Sequence, residues 1–91
     1  MLISPDEINK SLSNKGWEYA NKKISKSYTF ETYMAGIEFV QQIAELAERN
    51  NHHPDITIGW CQVNVTITSH QLGGVTTNCI NLATEIDLFQ L

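Results

Sequence analysis

Between Asn50 and Pro54 the hydrophobic rhythm of this chain changes from helical to extended, and that switch limits the folds open to it. From Glu31 to about Arg49 the apolar residues Tyr33, Ile37, Val40, Ala44 and Ala47, with Phe39, Ile43 and Leu46 beside them, recur at helical spacing. The helix must stop near Asn50. Two asparagines are poor helix-interior residues, and Pro54 pushes His53 out of the α region. Beyond the proline, Ile56, Ile58 and Trp60 alternate with other residues, and Val63, Val65 and Ile67 alternate with Gln62, Asn64, Thr66 and Thr68. That is the period-two signature of two half-buried strands. A tight connection near Cys61 and Gln62 makes them an antiparallel pair.

The flanks repeat the theme. Ser4, Pro5 and Glu7 read as an N-cap, a first-turn proline and a capping-box partner, and Ile8, Leu12 and Ile3 supply an apolar stripe for a helix over about 5–13. After Gly16, Trp17 and Tyr19 alternate with polar residues, and Ile24, Tyr28 and Phe30 follow a lysine-rich connection, the pattern of a β-hairpin. "HQLGGV" breaks the second strand pair, and helical spacing resumes with Ile80, Ala83, Ile86 and Leu88 or Phe89. The order predicted is α-β-β-α-β-β-α in a single domain, residues 1–91. This is an α+β fold, a four-stranded antiparallel sheet with three helices packed on one face. The other face, or an edge strand, is left for a partner subunit.

Composition excludes several functions. The chain is 42% apolar and 18% charged, as globular proteins are, and no window approaches the ~20 apolar residues of a membrane span. "MLISPDEINK" has no secretory character, so a cytoplasmic location follows by default. Cys61 and Cys79 lack CxxC spacing and read as free thiols. A formal charge of −4 disfavours a grip on nucleic acid, and the basic island "NKKISKS" reads as a solvated hairpin.

The chain has three histidines: His52, His53 and His70. A metal site is poorly served, because adjacent side chains on extended backbone point to opposite faces and no HxxxH or CxxC nucleus is present. His52 and His53 could simply cap the long helix, and His70 could be a polar strand end. Topology favours more than that: the pair precedes one strand, His70 follows the next, and an antiparallel hairpin returns both points to the same end of the sheet. Imidazoles grouped there can hold one proton-accepting and one proton-donating ring at the same pH.

These residues also carry a resemblance. "ELAERNNHHPDI" (45–56), Trp60, "VNVTITSHQLGGVT" (63–76) and "INLATEID" (80–87) resemble the pterin-4a-carbinolamine dehydratases. The family pattern is an acidic residue, three positions, His-His-Pro, an aromatic, and a further histidine ten residues beyond, ahead of a Gly-Leu-Thr-like helix start. The resemblance implies dehydration of a 4a-hydroxytetrahydrobiopterin-type substrate to quinonoid dihydropterin, which recycles the cofactor of aromatic amino acid hydroxylases. It implies His52, His53 and His70 as the active-site histidines, with His53 the principal acid/base, and no metal or other cofactor. It also implies a homodimer or homotetramer, with no direct nucleic-acid or membrane partner. The alternative it carries is a weakly active or non-catalytic dimerisation module of the transcriptional-coactivator kind.

Three further positions bear on substrate binding. Glu48 matches the acidic position and, four residues before His52, could orient that ring across a helical turn or lie solvated on the outer helix face. Trp60 could wall the pterin pocket or pack in the core, and its alternating strand favours packing. Cys79 stands where the family usually has aspartate, at N3 of a helix capped by Thr76. The exchange could merely weaken the helix start, could lower activity, or could put a thiolate in place of the carboxylate.

Overall fold

The computed structural model describes residues 1–90. Its elements are α1 (Pro5–Ser11), β1 (Glu18–Ala20), β2 (Lys23–Thr29), α2 (Tyr33–Asn50), β3 (Asp55–Gly59), β4 (Gln62–Ile67) and α3 (Thr77–Leu88). The four strands form one antiparallel sheet in the order β1-β2-β4-β3. This is the predicted α+β architecture. Ile24 and Tyr28 of β2 and Val63, Val65 and Ile67 of β4 alternate onto one face. There they meet Ile8 of α1 and Leu12 at its C-cap, Phe39, Ile43 and Leu46 of α2, and Leu82, Ala83 and Ile86 of α3 in one core. The other face carries Ser25, Ser27, Asn64 and Thr66, with Ser27 hydrogen-bonded to Asn64 across the strands.

Caps set the helix limits. Ser4 accepts from the Glu7 N–H at 3.2 Å, as expected, but α1 closes at Ser11 because Leu12 and Lys15 turn the chain towards Asn14 at φ 62°. α2 starts two residues later than predicted, where the Thr32 hydroxyl accepts from the Ala35 N–H at 3.1 Å. The core face of α2 also differs from the expected stripe. Gly36, Phe39, Ile43, Leu46 and Ala47 are buried, whereas Tyr33 and Ala44 are exposed.

One further correction concerns Trp60. Gly59 pairs with Gln62, so Trp60 and Cys61 form a two-residue turn and Trp60 is not a strand residue. With Cys61 at φ 56°, the turn projects the indole outward and leaves it 81% exposed, so it does not pack in the core.

The sheet is tied to α3 through Asp87. One carboxylate oxygen accepts from the Tyr28 hydroxyl at 2.6 Å and from the Lys26 ammonium at 2.8 Å, and the other from the Trp17 indole N–H at 3.0 Å. Tyr28 is 3% exposed, and burial, then the Asp87 hydrogen bond and charge, push its phenol above its ordinary range. A pKa raised on folding gives stability that is complete below the unfolded phenol's range near ~10 and is lost above it, because the unfolded chain then releases a proton the folded chain keeps. Between pH 10 and 12 the wild type should therefore lose stability more steeply than Tyr28→Phe, by up to about 1.4 kcal/mol per pH unit in urea denaturation. Parallel slopes would show that the buried phenol does not govern alkaline unfolding.

Candidate active site

The histidine end of the sheet is built by three chain reversals. At the first, α2 ends in a Schellman-type cap: Asn51 takes the left-handed conformation at φ 49°, its N–H bonds to the Glu48 carbonyl at 3.4 Å, and the His52 N–H reaches the Ala47 carbonyl at 3.1 Å. Asparagine tolerates that conformation better than most residues, which is the local reason the helix stops here. Pro54 then leads directly into β3.

The second reversal follows β4. The Ser69 carbonyl accepts from the N–H groups of Gly73 and Gly74 at 2.8 and 3.2 Å, and the Ser69 hydroxyl from the Leu72 N–H at 3.2 Å. Gly73 supplies the required positive φ of 69°. His70 rides on this turn. The third is the start of α3, where the Thr76 hydroxyl accepts from the Cys79 N–H at 3.3 Å, so Thr76 is the N-cap and Cys79 is N3.

Because Asp55 pairs with Thr66, the start of β3 and the end of β4 lie side by side. His52, His53 and His70 accordingly line one cleft of about 600 Å³, together with Thr68, Ser69, Thr76 and part of α3. That volume is in the range of small-molecule sites. Among the described residues, no group of three His, Cys, Asp or Glu side chains is placed to hold a metal ion.

Each adjacent ring has its own anchor. His52 is half-buried, its Nε2 3.3 Å from the Thr68 carbonyl oxygen and 3.7 Å from the Cys79 Sγ. A carbonyl can only accept, so the ring proton sits on Nε2 and Nδ1 keeps the lone pair of the neutral ring. The Cys79 sulfur also takes a hydrogen bond from the Thr76 hydroxyl at 3.4 Å. His53 is exposed, and its Nε2 donates to Glu48 Oε2 at 2.5 Å.

Glu48 therefore faces His53, not His52 as a helical turn would have it. The left-handed Asn51 swings the chain off the helix, and position 53 comes back over position 48. Cys79 lies behind His52. Trp60 is not gathered in: it stands at the far end of the β3–β4 hairpin and is not among the residues lining the cleft. Thr76 anchors Cys79 as the N-cap the sequence predicts, whereas the Thr68 anchor of His52 has no signal in the sequence. The Thr68 contact uses a backbone carbonyl, which no side-chain pattern reveals.

Cys79 is 0% exposed, whereas Cys61 in the turn is partly open. Under native conditions iodoacetamide should label Cys61 first and reach Cys79 only after unfolding, as followed by mass spectrometry. Labelling of both at one rate would mean that the cleft opens down to the sulfur, as the thiolate reading requires.

The sequence matches a protein-family description, "Pterin 4 alpha carbinolamine dehydratase", over residues 1–89. A Mycobacterium tuberculosis protein provisionally named pterin-4-alpha-carbinolamine dehydratase is 39% identical over 87 residues, which cover 94% of this chain and 93% of that one. A Thermosynechococcus vestitus protein of the same provisional name is 36% identical over 85 residues, covering 92% and 90%. A crystal structure of a transcriptional coactivator/pterin dehydratase from Brucella melitensis superposes with a TM-score of 0.91 at 27% identity, covering 97% of both chains.

Proposed function

The chain belongs to the pterin-4a-carbinolamine dehydratase family, and from that membership we propose that it dehydrates a 4a-hydroxytetrahydrobiopterin-type substrate to quinonoid dihydropterin and water. The reading places it in the cytoplasm, recycling the cofactor of aromatic amino acid hydroxylases, as a homodimer or homotetramer. The single observation that carries it is the meeting of His52, His53 and His70 in one cleft large enough for a bicyclic ring.

The chemistry needs two proton transfers. One group removes the proton from the ring nitrogen beside C4a, and another protonates the departing 4a-hydroxyl; the C–O bond breaks, the C=N bond forms, and water leaves. His53 is the principal acid/base. Its Nε2–H is committed to Glu48, so Nδ1 is the ring atom that exchanges protons. His52, held through Nε2, likewise works through Nδ1, and with His70 it binds the pterin and shares the proton transfers. Cys79 sits 3.7 Å from the His52 ring, which makes it a positioning residue behind that imidazole. The test is direct: turnover of a 4a-hydroxytetrahydropterin above the uncatalysed rate supports the reading, and no acceleration ends it.

A second reading, a non-catalytic dimerisation or coactivator-like module, is favoured by one surface feature. Among the described residues, edge strand β3 pairs with β4 alone, and Ile58 near its end and Trp60 just beyond it are 44% and 81% exposed. Oligomerisation without turnover would select this reading.

A further inference from the structure

His52 stands between two groups that ask for opposite ring tautomers. The Thr68 carbonyl, 3.3 Å from Nε2, can only accept, so it needs the ring proton on Nε2. The Cys79 sulfur, 3.7 Å from the same nitrogen, accepts from the Thr76 hydroxyl and, as a thiol, can also donate. A thiol that donates to Nε2 leaves the ring proton on Nδ1, the atom whose lone pair the dehydration uses. The tautomer therefore depends on how firmly the Thr68 carbonyl is held.

Its hold comes from the other hairpin. Thr68 lies just beyond β4, past the last ladder pairs, Ile24 with Ile67 and Asp55 with Thr66. There its hydroxyl donates to the Lys22 carbonyl at 2.8 Å. Ala20 pairs with Lys23, so Asn21 and Lys22 form the two-residue β1–β2 turn, both left-handed at φ 52° and 64°. That turn geometry matches the twist of the strands it joins, which fixes the direction of its carbonyls. Thr68 is only 9% exposed, and β-branching leaves its χ1 little freedom, so pinning Oγ1 also pins the peptide that follows. Contacts thus run without a break from the Lys22 carbonyl through Thr68 to the His52 ring.

Resting on the dehydratase reading for its catalytic consequence, we propose that Thr68 is a positioning residue. Its hydroxyl, anchored on the β1–β2 turn, aims its own carbonyl at His52, selects the Nε2–H tautomer and leaves Nδ1 open to substrate.

The test reads the tautomer apart from turnover. Nitrogen NMR resonances of the imidazoles in isotopically labelled protein, recorded above the ordinary histidine titration range, show which His52 nitrogen carries the proton. Wild type and Thr68→Ser should both show Nε2–H. Thr68→Val, which keeps the shape and loses the donor, should shift His52 towards Nδ1–H. It should also lower kcat/KM for a 4a-hydroxytetrahydropterin about three- to tenfold, the effect of one hydrogen bond, and Thr68→Ser should recover the rate to within about twofold. Should Thr68→Val not fold, Thr68→Cys, a weaker donor of similar size, should show the same shift in smaller measure. An Nδ1–H ring in the wild type overturns the proposal, as does an unmoved tautomer in the folded Thr68→Val or Thr68→Cys protein, or Thr68→Ser behaving like Thr68→Val. Absence of wild-type turnover with the tautomer shift intact removes the dehydratase reading and leaves the positioning standing. Turnover with an unmoved tautomer does the reverse.

Discussion

Replacing His53 by alanine should lower kcat/KM for 4a-hydroxypterin dehydration by about 10²–10⁴-fold, the range that a positioned general acid/base contributes. The expectation rests on location and partner together. His53 lines the cleft, and Glu48 takes its Nε2–H, which leaves Nδ1 as the exchanging atom. Because the side chain is 55% exposed, the loss should come without unfolding, and a stability change beyond about 0.5 kcal/mol is not expected. Glu48→Gln separates positioning from proton transfer. Its amide oxygen can still accept from Nε2–H, so the rate should fall far less than in His53→Ala, and the change should be in kcat more than in KM. His53→Ala at wild-type rate, after subtraction of the spontaneous reaction, would falsify the assignment.

Most of this arrangement was legible in the sequence because its determinants are local. Period-two alternation fixed the faces of β2 and β4, and the Asn50–Pro54 interruption fixed where α2 ends, so the shared end of the three histidines followed from hairpin topology alone. The errors fell where one backbone dihedral decides the outcome. A left-handed Asn51 turned Glu48 towards His53 instead of His52, and a left-handed Cys61 closed the turn one residue before Trp60 could join the strand. Side-chain spacing carries no information on either dihedral. The burial of α2 was misread for a related reason. Its apolar residues cover more than half of the helix circumference, so periodicity alone did not choose between the flank bearing Tyr33 and Ala44 and the face bearing Phe39 and Ile43.

Asp87→Ala should destabilise the fold by roughly 2–4 kcal/mol, a fall in Tm of about 10–20 °C for a chain of this size. Sequence reading passed over this residue, although it left a sign: an acid in the last turn of a helix opposes the helix dipole, and such a conflict persists only where something else compensates. Here three donors compensate. Lys26 and Asp87 are only 24% and 23% exposed, and Tyr28 is nearly fully buried, so truncation strands an ammonium, a phenol and an indole N–H with little water to replace the carboxylate. Removing one partner of such a set costs more than the set contributes, because the desolvation of the survivors is no longer offset. Asp87→Asn should fall between the two, since its amide oxygen still accepts hydrogen bonds while the charge opposite Lys26 is gone. The alkaline limb gives a second readout. Burial, the largest cause of the raised Tyr28 pKa, persists in Asp87→Ala, but the hydrogen bond and charge do not, so the steep loss above pH 10 should flatten without disappearing. A variant as stable as wild type, with the same alkaline slope, would show that the carboxylate is a solvated helix end and that hydrophobic packing alone holds α3 to the sheet.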